Sequence, residues 1–191
     1  KMVEPLIEKY PNEAILFNIR GVCNKAKNEF KDAVNDFNQA VLIKPDYSEA
    51  YFNLGVTLQE MGDSDNAINA YQNALKHNNN YPKAHNNLGQ LYIISGKLDF
   101  AIDHLEWAVA LQPEFSDAYN NLGSAYISSN KVYDAIESFE KALSLNSKFS
   151  IAYNNLGIAY QRIGELNLAV ENFEKAIAIN PNYIKAHSNL S

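Results

Sequence analysis

The chain has 191 residues, of which 47% are hydrophobic, and a formal net charge of −6 at pH 7. An acidic balance disfavours nucleic acid as a partner, because binding a phosphate backbone depends on positive charge. No stretch approaches the roughly eighteen apolar residues of a membrane span, so no membrane partner is predicted. The single cysteine, Cys23, permits no internal disulfide and is compatible with a reducing, cytoplasmic compartment. It lies in a predicted helix and is expected to be a small core residue.

Five glycines mark a repeat with a period of 34 residues: Gly21, Gly55, Gly89, Gly123 and Gly157. A strict period of this kind indicates a solenoid, whose units bury their apolar faces against neighbouring units. Alignment on the glycines predicts five full repeats, at 14–47, 48–81, 82–115, 116–149 and 150–183. Residues 1–13 match the end of a truncated repeat, and residues 184–191 match the first helix of another.

Each repeat carries two blocks of small and apolar residues at helical spacing. In the repeat at 116–149, the second block holds Ala135, Phe139 and Ala142. Residues three or four apart share one face of a helix, and alanines there let two helices approach closely. The sequence therefore predicts a helical hairpin in every repeat.

The breaks between these blocks carry residues that suit the end of a helix. At the breaks within the repeats stand residues that accept a left-handed backbone conformation. These are Asn28, Gly62, Gly96, Asn130 and Gly164. At three of the breaks between repeats stand prolines, which cannot continue a helix, namely Pro45, Pro113 and Pro181. Three serines stand where the next helix is predicted to begin and are expected to accept its free N–H groups: Ser48, Ser116 and Ser150.

These residues resemble the tetratricopeptide repeat over nearly the whole chain. The family pattern is met at 150–183 by Tyr153, Leu156, Gly157, Tyr160, Ala169, Phe173, Ala176 and Pro181. The repeat at 14–47 departs most, with Arg20 before its glycine and Asn24 in the usual aromatic place. The resemblance implies an all-α fold, a right-handed superhelix of antiparallel helix hairpins whose first helices line a concave groove. It also implies a non-catalytic module that binds peptides, partner proteins or further copies of itself.

Two rows of asparagine follow the same period, at two and three residues before the glycines. They supply the candidate partner-binding residues Asn53, Asn86, Asn87, Asn120, Asn121, Asn154 and Asn155. The pattern is similar to the asparagine ladder in the repeat domain of O-linked N-acetylglucosamine transferase and related bacterial repeat proteins. A side-chain amide offers a donor and an acceptor, so such a row can hold the backbone of an extended peptide whatever its sequence. The alternative is that these amides bond neighbouring helices or face water.

Three further groove candidates are Gln90, Ile93 and Ile127. With Ile94, the two isoleucines are predicted to form an apolar patch of the kind that marks a binding site. For Ile94 alone, we favour the alternative that the following second helix covers it. The cationic clamp by which some family members hold chaperone tails is not predicted, because only Lys83 and Lys185 fit its positions.

Nothing in the sequence indicates chemistry of its own. The four histidines form no pair at the spacing of a metal site, and no phosphate loop, nucleophile motif or dinucleotide motif is present. We therefore predict no enzymatic activity, no cofactor and no metal for this chain. The leading hypothesis is a scaffold that binds an extended peptide or partner segment in its groove. The alternatives are a substrate-recruiting arm of a larger enzyme, such as a glycosyltransferase, and a homo-oligomeric module that stacks end to end.

Overall fold

The computed structural model describes residues 3–190, which form twelve α-helices and no β-strand. Within the same residues, no helix has the length and apolar content that crossing a bilayer requires. The ten long helices have 13 or 14 residues, and the two end helices are shorter. In chain order the helices are α1 (Glu4–Lys9), α2 (Ala14–Ala26), α3 (Phe30–Ile43), α4 (Ser48–Glu60), α5 (Ser64–His77), α6 (Pro82–Ile94), α7 (Leu98–Leu111), α8 (Ser116–Ser128), α9 (Val132–Leu145), α10 (Ser150–Arg162), α11 (Leu166–Ile179) and α12 (Ile184–Leu190).

Contacts between helices group the chain into two compact units, one ending at Ala84 and the other beginning at His85. In the first unit α2 packs on α3, α3 on α4 and α4 on α5, and α2 also touches α4. In the second unit α8 packs on α9, α9 on α10 and α10 on α11, and α8 also touches α10. We call the even-numbered helices first helices and the odd-numbered helices from α3 onward second helices. Within each unit, adjacent hairpins therefore meet mainly where a second helix packs on the next first helix, and also through their first helices.

The centre of each hairpin is a large side chain flanked by two alanines. In α9, Ala135, Phe139 and Ala142 are at most 1% exposed. The ring lies directly against the glycine of the first helix, since a Cβ added to Gly123 would lie 2.5 Å from Cε1 of Phe139. No other residue type fits that distance without displacing the ring. The close approach predicted from the alanines and glycines is confirmed.

The turns within the hairpins use left-handed backbone, as the sequence predicts. Five residues with positive φ close them, namely Asn28 (63°), Gly62 (80°), Gly96 (72°), Asn130 (60°) and Gly164 (81°). Glycine adopts this conformation without steric cost, and asparagine tolerates it better than most other residues. Each first helix is thereby turned back onto its second helix.

The predicted serine caps are wrong. Helices α4, α8 and α10 begin at the three serines, but the N-cap position is filled by an aromatic residue without a side-chain cap, at Tyr47, Phe115 and Phe149. Each serine is already the first helical residue, one position too late to act as the flanking cap. A side-chain cap does form at α5, where Oδ1 of Asp63 accepts from the backbone N–H of Asn66 at 3.3 Å.

The prediction that Cys23 is a core residue is also wrong, because its side chain is exposed. The buried residues of α2 are Ala14, Asn18 and Gly21. Cys23 follows Gly21 by two residues, which is about 200° around a helix of 3.6 residues per turn. The thiol therefore lies on the face opposite the core.

Candidate functional site

The two rows of asparagine are joined by hydrogen bonds across neighbouring first helices. We call the residues two before each glycine the outer row and those three before it the inner row. Outer-row Nδ2 atoms donate to inner-row Oδ1 atoms of the preceding first helix. The bonds are Asn53 to Asn18 (3.0 Å) in the first unit, and Asn121 to Asn86 (2.9 Å), Asn155 to Asn120 (3.0 Å) and Asn189 to Asn154 (2.9 Å) in the second. Asparagine therefore ties each of these first helices to the next.

Burial separates the two rows. The inner-row side chains are buried, with exposed fractions of 4% for Asn18, 7% for Asn86, 7% for Asn120 and 1% for Asn154. The outer-row residues of the first helices are only half-buried. Buried amides already bonded to a neighbouring helix are part of the packing. Asn86, Asn120 and Asn154 therefore contribute to the packing between first helices. The binding role predicted for them stays a prediction, since Asn120 and Asn154 also line a cavity of the second unit.

The outer row keeps hydrogen-bonding capacity for a ligand. A side-chain amide has two N–H donors and a carbonyl oxygen with two lone pairs. At Asn155, one N–H is taken by Asn120, and the oxygen lies 3.5 Å from Nδ2 of Asn154, at the outer limit of a hydrogen bond. At Asn121, one N–H is taken by Asn86. Each of these two amides therefore still offers a donor and an acceptor beside each other.

A cavity of about 510 Å³ lies along these side chains in the second unit, between α8, α10 and α12. Its lining includes Asn155 and Asn189 of the outer row, together with Ser124 and Lys185. This volume falls in the range of about 300–1,000 Å³ that ligand sites occupy. The space is therefore large enough for a segment of a partner chain.

The other predicted groove residues differ in exposure. Gln90 is exposed, whereas Ile93 and Ile127 are half-buried, as is Asn53 in the first unit. The expectation that a second helix covers Ile94 is wrong, since this side chain is 71% exposed. Ile94 is the last residue of α6, and the chain turns away directly after it.

Charge is distributed unevenly between the first and second helices of the second unit. Helices α8, α10 and α12 carry one acidic residue, Asp117, and two basic ones, Arg162 and Lys185. Helices α7, α9 and α11 carry two lysines, Lys141 and Lys175, and the acids Asp99, Asp103, Glu106, Asp134, Glu137, Glu140, Glu171 and Glu174. The asparagine-bearing helices are thus close to neutral, which suits an uncharged backbone rather than a strongly charged ligand.

Two histidines of the second unit lie close together, although no two stand at the sequence spacing of a metal site. Nδ1 of His85 on α6 lies 2.9 Å from Nδ1 of His104 on α7, and Trp107 stacks on His85. Residues 3–190 hold no group of three or more side chains able to bind a metal ion. Burial, and then the nearby His85, lower the pKa of His104 to about 4, while Asp103 opposes the shift. The sequence spacing concealed the pair because its members lie on different helices of one hairpin.

Acidification is expected to weaken the packing of α6 on α7 through His104. The unfolded chain takes up a proton near the ordinary pKa of 6.5, whereas the folded chain does so only near 4. The unfolded state therefore binds more protons in this interval, and stability present above pH 6.5 is lost as the pH falls towards 4. Urea unfolding at several pH values should show a steeper loss for the wild type than for His104→Phe. Equal pH dependence in the two proteins would contradict this assignment.

Comparison with known proteins places this geometry among helical repeats. Family models described as tetratricopeptide repeat match residues 46–114 and 150–183, and one described as TPR repeat matches 25–62 and 123–164. The crystal structure of MamA protein is similar with a TM-score of 0.80 and 28% identity, over 90% of this chain and 94% of that one. YrrB is similar with a TM-score of 0.85 and 20% identity, over 98% and 97%.

Among curated proteins, heat shock protein STI1 of Saccharomyces cerevisiae is 36% identical over 59 residues. The match covers 31% of this chain and 10% of that protein, so the chain spans about a tenth of this relative. Stacked hairpins, each closed by a glycine against a large buried side chain, define a helical repeat protein of the solenoid type. The chain belongs to the tetratricopeptide repeat family, because models of that family match most of its length. The predicted family and all-α fold class are both confirmed.

Proposed function

We propose that this chain is a non-catalytic protein-interaction scaffold that binds an extended peptide along the first helices of its second unit. The observation that carries the proposal is the outer row of half-buried asparagines, in which Asn121 and Asn155 retain a donor and an acceptor. An extended peptide backbone presents the complementary pair at every residue. Recognition through the backbone makes the contact largely independent of the partner's sequence.

The spacing of the repeats suits an extended ligand. Packed helices lie about 8–10 Å apart, and a strand advances about 3.3 Å per residue, so one repeat corresponds to about three peptide residues. Asn121 and Asn155 would then bond backbone groups of the peptide that lie about three residues apart. The peptide side chains between these two points would contact the surface between the asparagines. Gln90, Ile93 and Ile127 are the candidates for those contacts.

The relatives support a peptide or protein partner. YrrB is described as a TPR protein with an unusual peptide-binding site. The short similarity to a heat shock protein does not extend the proposal to chaperone tails, because Phe52, Asn87 and Asn121 stand where the clamp requires cations. A role as the substrate-recruiting arm of a larger enzyme would use the same groove and differ only in what is attached.

Removal of the outer-row amides should weaken peptide capture without unfolding the chain. We expect Asn87→Ala, Asn121→Ala and Asn155→Ala, combined in one variant, to lose about 10- to 100-fold in affinity for peptides selected on the wild type, at roughly 1 kcal/mol per lost hydrogen bond. The measurement is isothermal titration calorimetry, with helicity monitored by circular dichroism.

The matched control replaces three exposed asparagines of second helices, at Asn35, Asn38 and Asn69, by alanine. This variant should bind like the wild type. If both triple variants retain wild-type affinity, the outer row is not the binding element and the proposal fails.

Self-association is a second candidate, favoured by apolar side chains on the last two helices. Leu166 and Val170 on α11 are 61% and 44% exposed, and Ile184 on α12 is 79% exposed. A solenoid face of this kind can stack on a second copy. Sedimentation equilibrium should then show dimers that Leu166→Glu combined with Val170→Glu converts to monomers. A wild-type chain that remains monomeric over a wide concentration range would exclude this candidate.

A further inference from the structure

A small cavity lies between α8 and α10 in the second unit and adjoins the larger cavity beside α12, with which it shares Ser124, Asn155 and Ile158. Its volume is about 170 Å³. Three apolar residues, Ile127, Phe139 and Ile158, and three polar ones, Ser124, Ser128 and Asn155, line it. We call these six residues the aliphatic pocket. The ring of Phe139 is 1% exposed, so it forms the base of the pocket and belongs to the hairpin core.

The two serine hydroxyls of the aliphatic pocket are already bonded within the protein. The hydroxyl of Ser124 donates to the carbonyl of Asn120 at 2.9 Å, and that of Ser128 donates to the carbonyl of Ser124 at 2.9 Å. Their protons are therefore unavailable to an incoming group. A charged side chain placed here would lose its hydration and find no counter-ion in the lining, which is costly. An apolar side chain incurs no such cost and gains from burial.

Size restricts the occupant further. Water occupies about 30 Å³ per molecule in the liquid, so the pocket has the room of about five or six waters. It is smaller than the roughly 300 Å³ at which sites for whole small molecules begin. A single side chain of three or four carbon atoms matches the available space.

The pocket is continuous with the proposed peptide site. Asn155 belongs both to the outer row and to the pocket lining, and Ile158 follows it by one helical turn. Ser124 likewise follows Asn121 by three residues, which places it on the same face of α8. A peptide whose backbone bonds the amide of Asn155 therefore brings one of its own side chains to the mouth of the pocket.

The repeat fold does not require this combination of residues. The preceding pair of repeats, at 82–115 and 116–149, has Gln90 at the position equivalent to Ser124. In the same pair, Ser124 itself stands at the position equivalent to Ile158. The long glutamine replaces the small serine, the serine replaces the isoleucine, and Ile94 replaces Ser128. The equivalent place there is therefore less open, and its apolar residues stand at different positions. The pocket is a local feature of the repeats at 116–149 and 150–183.

We infer that the aliphatic pocket selects the peptide ligand by accepting one aliphatic side chain, of the size of valine, leucine, isoleucine or methionine. The inference rests on the proposed function and adds sequence selectivity to it. The outer row would hold the backbone of any extended segment, and the pocket would fix the register of the segment along the helices. Partners would therefore share an aliphatic residue at one fixed place in an otherwise variable sequence.

Selection from a phage-displayed library of random twelve-residue peptides on the 191-residue chain tests this inference. We expect the retained peptides to align on one aliphatic position. Replacement of that residue by serine in a synthetic peptide should lower affinity for the wild-type chain by about 10- to 100-fold, the effect of burying one such side chain. This comparison needs no protein variant and so cannot be confused with misfolding.

Two substitutions in the protein test the same assignment. Ser124→Leu fills the space and should reduce affinity for the aliphatic peptides at least tenfold. The control Ser144→Leu, at an exposed serine of α9 outside the lining, should bind within about twofold of the wild type. If the selected peptides depend on Asn121 and Asn155 but show no aliphatic position and tolerate Ser124→Leu, the groove stands and the pocket assignment is overturned. If the wild type retains no peptide at all, the proposed function is overturned and the pocket assignment with it.

Discussion

Replacement of Phe139 by alanine is expected to lower the free energy of unfolding by about 3–5 kcal/mol, the usual cost of removing a buried aromatic side chain. The ring is 1% exposed and lies in a cluster of buried residues that includes Leu143 and Leu156. It also fills the space against Gly123, where an added Cβ would come within 2.5 Å. The alanines that flank the ring along α9 are too small to fill the space that it would leave.

Urea unfolding followed by circular dichroism measures this effect. The matched control is Tyr133→Ala on the same helix, where the aromatic side chain is 73% exposed. That change should alter the free energy of unfolding by less than about 0.5 kcal/mol, as for ordinary surface substitutions. Equal losses in the two variants would mean that the buried ring is not the centre of its hairpin.

The second large effect is expected at Arg20, where substitution by leucine should cost about 2–3 kcal/mol by stranding a buried carboxylate. Asp36 is 4% exposed and accepts from Nη2 of Arg20 at 2.6 Å and from Nε at 3.0 and 3.1 Å. Asn24 donates to the same carboxylate at 2.9 Å. The bond to Asp36 is also the main reason that the pKa of Arg20 is raised. The figure lies below that for fully buried pairs because the Arg20 side chain is 30% exposed.

A double variant separates charge from packing at this site. Arg20→Leu combined with Asp36→Ala removes both charges and should recover most of the stability lost in Arg20→Leu alone. Denaturant unfolding of the two single variants, the double variant and the wild type completes the cycle. An additive double variant would show that Arg20 and Asp36 do not act as a pair.

This pair also explains why the first full repeat departs from its family. Arg20 and Asn24 are visible in the sequence as misfits, since they stand where leucine and an aromatic residue are usual. Both donate to Asp36 in the structure. The repeat period could not predict that Asp36 accepts from both residues. Its carboxylate lies on the other helix of the hairpin, at a position that varies among repeats.

The helices, turns and glycine contacts were predictable because they recur with the period. The asparagine rows were predictable as patterns for the same reason. Their hydrogen bonds were not, since each one joins residues 35 apart, such as Asn155 and Asn120, and depends on how neighbouring helices are rotated. That rotation also decides burial, which assigns Asn154 to packing and leaves Asn155 accessible. Cys23 was misplaced because apolar neighbours in sequence do not define the face of a helix.

The most direct test of a peptide site on the outer row is a nuclear magnetic resonance titration of the 191-residue chain with a selected peptide. The side-chain amide resonances of Asn121 and Asn155 report on the donors and acceptors that we assign to the ligand. We expect these signals to shift on saturation, while those of Asn35, Asn38 and Asn69 on the second helices stay in place. Shifts confined to the second helices, with the outer-row amides unchanged, would contradict this expectation.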